Sequence, residues 1–375
     1  MGKQIYTSEN VLEATKRRIS DIFDNFKNVS VSISGGKDST VCAFLAIQEA
    51  KKRNRKVSIF FLDEEVDYEA TIDQVKYIMF EISADNVQPI WFQFPFNLTN
   101  ATSLTEEKLV AWQKDKYKIW MRAKESFSYG FCPYPKDELI ITDKNKGFDF
   151  YDVLNTYEEH QCNTCFIIGL RATESLNRWR VVSKNPAFKD WFWTSKSLGK
   201  NNIKAYPIYD WTFGDVWKFI ADNKIRYNRI YDFMFLKNMS FSEFRVSSLI
   251  HEKSFKSIIS LPEFEPRTYE KLQRRIKGIQ TANIYANDKL IYKCQQLPAN
   301  YKNWKEYRDF LISTYPNQDK VQIFIDRFSK QPQNEIIYKQ QCRQLILNDL
   351  ENNLPIDIKK IEKNQKKKNK WINIL

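Results

Sequence analysis

The apolar positions of this chain come in short runs separated by stretches of helical spacing. Over residues 10–27, Val11, Ala14, Ile19, Ile22, Phe23 and Phe26 share one helical face, which predicts an amphipathic helix packed on a sheet. Val29, Val31 and Ile33 then read as a strand, and Val41, Phe44, Leu45 and Ile47 return to helical spacing. After a basic exit at residues 51–56, Val57–Leu62 is too apolar and too short for a solvated helix and reads as a second buried strand. A helix is expected over residues 68–81 and a third strand over residues 88–94. Strand and helix alternating with short connections predict an α/β fold with a doubly wound, mostly parallel sheet.

Further along, an apolar run from Cys165 enters Gly169, and a helix is expected to open at Thr173-Glu174-Ser175. Thr212, three residues before Asp215, has the spacing of a helix-opening capping box, with Trp211 and Trp217 as packing anchors. Residues 127–150 are rich in turn formers and read as an irregular excursion suited to a lid or substrate-selecting loop. Trp112 and Trp120, near Lys118 and Arg122, read as core first and as a base-stacking platform second. Residues 236–358 read as helices with mixed faces, the last broken by Asn352-Asn353-Leu354-Pro355. The pattern divides the chain into an α/β domain at 1–235, a helical C-terminal domain at 236–358 and a basic tail at 359–375.

Composition changes this picture in two respects. With 375 residues, 42% of them apolar and 15% aromatic, the chain can bury a full core. Its net charge of +13 invites contact with nucleic acid through the basic C-terminal region, where residues 359–370 hold seven lysines against one glutamate. Such a block also reads as a solvated tail. Without an opening hydrophobic stretch or a membrane-length apolar run, the expected location is cytoplasmic, and six cysteines in so long a chain are expected to stay reduced.

The chemistry concentrates at Ser34-Gly35-Gly36-Lys37-Asp38-Ser39-Thr40, where a strand passes through a glycine turn into a helix. That geometry aims backbone N–H groups and a helix N-terminus at an anion, and glycines let the backbone approach phosphate oxygens closely. Lys37 adds a point charge, while Ser34 and Ser39 add hydroxyl donors. The Asp38 carboxylate would repel phosphate unless a cation such as Mg²⁺ stood between them. A Walker A loop fails twice here, because Val31 stands where the first glycine belongs and Asp38 replaces the Ser/Thr. Asp63, at the end of the second strand, falls at the same sheet edge, where open α/β sheets bind ligands. Arg171 and Arg178 are spaced to converge on one anion, with Glu174 to hold one of them.

The 34–39 hexapeptide resembles the PP-loop of ATP pyrophosphatases. Together with Gly169-Leu170-Arg171-Ala172-Thr173-Glu174-Ser175, Arg178 and the 207–217 segment, it is similar to the phosphoadenosine-phosphosulfate (PAPS) reductase-like branch of that superfamily. The resemblance implies an adenine nucleotide alpha hydrolase-like fold. It also implies ATP with Mg²⁺ as cofactors, and cleavage at the α-phosphate with pyrophosphate left on the loop. On that reading Lys37, Asp38 and Arg171 carry the chemistry. Ser34, Gly35, Gly36, Ser39, Thr40, Asp63, Gly169, Glu174, Ser175 and Arg178 bind, with Asp38 at the metal. Phe244-Arg245-Val246-Ser247 and the 261–272 block resemble immunoglobulin-binding-regulator A (IbrA)-type proteins, which implies a ParB-like partner. The Glu-Cys-Gly-Leu-His motif of true PAPS reductases has no match, since Cys294 and Cys342 lie in other contexts. Cys132, His160, Cys162 and Cys165 offer one C-x-x-C pair; a metal site would need a second, and Cys165 heads into a buried strand.

Two function classes follow. One is an enzyme that binds ATP or an adenylyl sulfonucleotide and adenylylates, or transfers sulfur to, an acidic or nucleic-acid-related acceptor, with a PAPS or adenylyl-sulfate reductase as its variant without the expected cysteine motif. The other is a nucleotide-binding regulator that contacts DNA without turnover.

Overall fold

The structure, a computed structural model, describes residues 8–103, 106–129, 147–183, 186–251, 255–280, 284, 294, 296–352, 354 and 356. The described chain divides into two compact units, one of residues 1–97 and 110–248, the other of 98–109 and 249–375.

The first unit is built on a six-stranded sheet. Its strands are β1 (Asn28–Ser32), β2 (Val57–Leu62), β3 (Val87–Phe92), β6 (Thr164–Ile168), β7 (Thr194–Lys196) and β8 (Ile203–Ala205), in the order β3-β2-β1-β6-β8-β7. All neighbours run parallel except the edge pair β7 and β8. β4 (Phe96–Thr99) and β5 (Lys108–Ala111) form a separate two-stranded ribbon. This is the expected α/β, doubly wound and mostly parallel sheet. The order reverses beside β1: β2 and β3 lie on one side, β6 and β8 on the other. The carboxyl ends of β1 and β6 therefore flank the crevice where such sheets bind ligands.

One sheet face is covered by α1 (Val11–Asn25) and α2 (Lys37–Lys52). Ile19, Ile22 and Phe23 of α1 pack with Val41, Leu45 and Ile47 of α2 and with Val31, Ile59 and Ile167 of the strands in one buried cluster. Strands buried on both faces need few polar positions, which is why β2 reads as a continuous apolar run. On the other face α4 (Phe150–Glu159) stacks Tyr157 on Phe60 at 4.3 Å, and its hydroxyl meets Ser30 at 3.1 Å. The helix expected over 68–81 is α3 (Glu69–Lys76) followed by a π-turn at Tyr77–Glu81. The third strand ends at Phe92, two residues short of expectation, where Gln93 turns its amide to Asp63.

The Trp211 and Thr212 expectations meet their counterparts at α6 (Phe213–Asp222). Thr212 and Asp215 form a reciprocal capping box, and buried Trp211 donates its indole N–H to Thr15 Oγ1 at 2.8 Å. Beside it, Arg18 of α1 lays its fork on Asp210 at 2.9 and 2.7 Å and donates to the Pro207 carbonyl at 2.8 Å.

The second unit is helical: α8 (Phe255–Phe264), α9 (Pro266–Arg275), α10 (Trp304–Ser313), α11 (Gln318–Ser329) and α12 (Glu335–Ile346). The last helix stops six residues before Asn352, where the sequence pattern put the break. Asn348 takes a left-handed φ of 52°, and its side chain satisfies the Asn100 and Ser103 carbonyls at 2.8 and 2.9 Å. A buried asparagine paired in this way ends a helix without proline. The lysine-rich 359–370 segment lies outside the described residues, as does most of the 127–150 excursion. No helix among the described residues is long and apolar enough to cross a membrane.

The Arg18 pair ties α1 to the Pro207–Asp210 turn from a buried position. Arg18→Ala is expected to lower stability by about 3 kcal/mol, since it leaves Asp210 unpaired; the urea midpoint, at unchanged m, measures it.

Candidate functional site

The turn after β1 is held from below and from its flank. Gly35 sits at φ +68°, and a Cβ there would meet Thr71 Cγ2 at 2.9 Å and Thr71 O at 3.0 Å. Asn228, buried, donates to the Gly35 carbonyl at 3.2 Å and to Thr71 Oγ1 at 3.0 Å. Ser39 Oγ receives the Ser34 N–H at 3.2 Å and donates to Gly36 O at 3.1 Å, while Thr40 Oγ1 donates to the same carbonyl at 2.8 Å. Gly36 is the N-cap of α2 and brings no side chain of its own; the first N–H of the helix, that of Lys37, goes instead to the Tyr231 hydroxyl at 3.1 Å.

The partner wall comes from β6. Gly169 presses its backbone against the loop: a Cβ there would lie 2.9 Å from Asp38 C and Ser39 N. Two residues on, buried Arg171 donates Nε to Asp38 Oδ1 at 2.5 Å. The other Asp38 oxygen takes the Lys37 ammonium at 2.8 Å. Lys37 itself is buried, near the Phe213 and Tyr231 rings, with a 3.3 Å bond to the Phe244 carbonyl. The expected helix opening at Thr173 is a 3₁₀ turn, Ala172–Glu174, after which Ser175 caps α5 (Leu176–Val182) through the Arg178 N–H at 3.3 Å.

Arg171 and Arg178 do not share one partner. Arg171 goes to Asp38, whereas Arg178 pairs with Glu174 at 2.5 Å, and the second guanidinium on Glu174 is Arg245, at 3.6 Å. Lys37, Arg171, Arg178 and Arg245 thus surround Asp38 and Glu174, an excess of two positive charges beside the N-terminus of α2. That balance suits a polyanion.

Asp63 is used differently. Fully buried, it takes the Glu65 N–H and Arg122 on one oxygen, and Trp91 Nε1 at 2.9 Å and Gln93 Nε2 at 2.8 Å on the other. Trp112, also fully buried, donates its indole to the Asp63 carbonyl at 2.8 Å and its backbone N–H to Glu65 at 2.6 Å. The tryptophan-rich stretch is core, and Asp63 ties β2, β3 and residues 112–122 together without reaching the 34–39 loop in any of these bonds. Asp67 completes the group. Burial, and then the Asp63 charge, push its carboxyl up to about 7, against the pull of Arg122.

Cys165 is fully buried on β6, and burial drives its thiol up, while Cys162 is exposed before the strand. Among the described residues no group of three His, Cys, Asp or Glu side chains is placed to hold a metal ion. Cys132 lies outside them. Asn228 and Tyr231 were not singled out from sequence; their signal was only the aromatic 227–231 cluster, which carries no phosphate-loop pattern of its own.

Residues 28–237 match the model of the phosphoadenosine phosphosulfate reductase domain. The chain belongs to this family. Residues 238–374 match a second model, described as a domain of unknown function (DUF3440). Among curated relatives, the PAPS reductase-domain protein is 26% identical over 343 residues to the uncharacterized protein YbdN of Escherichia coli K12, covering 86% of this chain and 80% of that one. It is 23% identical over 183 residues to adenosine 5'-phosphosulfate reductase of Oceanobacillus iheyensis, covering 48% of this chain and 58% of the reductase. A solved phosphate complex of PAPS reductase from Candida auris aligns over 62% of this chain and 94% of its own, at 14% identity and a TM-score of 0.32.

Two outcomes follow from this geometry. Gly169→Ala forces a Cβ onto backbone that cannot swing aside and is expected to cost about 1–3 kcal/mol, read as a lowered urea midpoint. Asp67 binds its proton more tightly folded than unfolded, so its contribution to stability is full below about pH 4 and is lost as pH rises through about 7. Asp67→Asn should remove that decline, measured as urea midpoints between pH 5 and 8.

Proposed function

We propose that this PAPS reductase-family protein binds ATP with its β- and γ-phosphates on the 34–39 loop and cleaves it at the α-phosphate, leaving pyrophosphate on that loop. The observation that carries the reading is the meeting of the α2 N-terminus with four cationic side chains that outnumber their two carboxylates. A nucleophilic oxygen of an acidic or nucleic-acid-related acceptor attacks the α-phosphorus. The bond from that phosphorus to the bridging oxygen breaks, pyrophosphate leaves with the electron pair, and the acceptor's proton passes to solvent. The acceptor is then adenylylated, ready for a later sulfur transfer.

Lys37, Asp38 and Arg171 carry the charge work, with Gly35, Gly36, Ser34, Ser39 and Thr40 shaping the loop, Gly169 closing its wall, and Glu174, Ser175 and Arg178 ordering the acceptor side. Little covalent work falls to such side chains; positioning and charge neutralisation lower the barrier. Asp38 is the carboxylate that would hold Mg²⁺. Its side chain keeps 15% exposure at the loop, and Mg²⁺ on a nucleotide needs only one or two protein carboxylates, but Arg171 and Lys37 each hold one of its oxygens, so the ion would have to displace one of these cations. When bound, the ion would neutralise developing phosphate charge.

Reduction of a sulfonucleotide fits less well. Cys294 and Cys342, the cysteines of the last third, are both buried, and the bond to Cys294 followed by burial drives the Cys342 thiol upward, away from a reactive thiolate. The net charge of +13 favours, as a second reading, a nucleotide-binding regulator that contacts DNA beside a ParB-like partner. DNA affinity falling steeply with salt and changing with ATP would mark that reading.

Pyrophosphate release and ATP–pyrophosphate exchange, run across sulfate, acidic metabolites and nucleic acid as acceptors, test the enzyme. Lys37→Ala is expected to weaken ATP binding about tenfold or more, the scale of a lost hydrogen bond to a charged group, and Asp38→Ala to suppress exchange. Variants that exchange as fast as the unaltered protein would rule the reaction out.

A further inference from the structure

Tyr231 opens α7 (Ile230–Leu236) and is buried against the phosphate loop. Its hydroxyl accepts the Lys37 N–H at 3.1 Å and lies 3.2 Å from the point a Gly36 Cβ would occupy. The ring is fixed by Trp217, edge to face at 5.3 Å, and by Phe244, near parallel at 6.1 Å, with the Lys37 ammonium 5.5 Å from its centroid. Three residues earlier Asn228 grips the Gly35 carbonyl, so the start of α7 holds both glycines of the turn.

A tyrosine hydroxyl accepts and donates at once. Its acceptor side is taken by Lys37 N–H, while its own proton finds no acceptor among the described residues. Burial and the Asp38 charge push the phenol well above its ordinary range, with Glu174 adding to them and Arg171 opposing, so the group stays a neutral donor and stands within the field of the whole constellation.

We propose that Tyr231 is a phosphate-binding residue: its hydroxyl takes the first N–H of α2 and passes a hydrogen bond on to an oxygen of the phosphate held by the 34–39 loop. The assignment rests on the reading of that loop as a nucleotide phosphate site. Lys37 N–H is thereby replaced as a direct donor by an O–H that the N–H polarises, and chained bonds of this kind strengthen one another. The rigid ring packing fixes where the relay ends, so Tyr231 favours ligands that carry a phosphate at that point over those that carry none.

The test is calorimetric binding of ATP, inorganic pyrophosphate and adenosine to the full chain, its Tyr231→Phe variant and its Lys37→Ala variant. Tyr231→Phe keeps the ring and should weaken ATP and pyrophosphate about tenfold, as for one hydrogen bond to a charged group, with adenosine affinity unchanged. Equal weakening of adenosine would make Tyr231 merely structural and overturn the assignment. Pyrophosphate bound normally by Tyr231→Phe but lost in Lys37→Ala overturns it too, yet leaves the loop reading intact. Normal pyrophosphate binding by both variants, or none by the unaltered protein, removes the loop reading and this inference with it. As a second probe, 3-fluorotyrosine at position 231 is a stronger donor and should tighten pyrophosphate binding; weaker binding would count against the relay.

Discussion

The approach of Gly169 to the Asp38–Ser39 backbone is the constraint on which the rest of the site depends. Two adjacent parallel strands, β1 and β6, deliver their carboxyl ends side by side, and only a residue without a Cβ lets those ends touch. Once they touch, Arg171 comes within bonding distance of Asp38, two residues of the chain that lie far apart in sequence. The ion pair lies directly beside the backbone contact, where an added methyl group would press on Asp38 and Ser39.

From that contact the electrostatics build outward. Asp38 gathers Lys37 and Arg171, Glu174 gathers Arg178 and Arg245, and each carboxylate is outnumbered by its cations. These carboxylates keep the buried cations compensated while leaving a positive surplus. A lysine as buried as Lys37 would otherwise pay a desolvation cost of several kcal/mol. The Phe213, Tyr231 and Phe244 rings around it exclude water, and that exclusion strengthens whatever charge interactions the loop makes with a ligand.

The second strand's acidic end serves a different purpose from the first strand's glycine turn. Asp63 reads in sequence as an acid at the sheet edge where ligands bind. In the fold Asp63 and Glu65 bind Trp91, Gln93, Trp112 and Arg122 and hold the carboxyl end of β2 against residues 112–122. A crevice wall that must stay in register needs such polar ties, because apolar packing has no directional preference.

The sequence by itself determined the strand–turn–helix at residues 28–52 and the parallel winding, because hydrophobic period and glycine placement are local properties. It also marked Gly169, Arg171 and Glu174 as a second cluster. Which cation meets which carboxylate was decided only by tertiary structure. Arg171 and Arg178 are seven residues apart, yet they part company, since a 3₁₀ turn and the Ser175 cap send them to different partners. Asp63 was legible as an acid at the right edge and not as a buried tie, because its partners arrive from β3 and from residue 122. Tyr231 and Asn228 were invisible for the same reason: their work is a contact with a turn nearly two hundred residues away, and no local pattern records it.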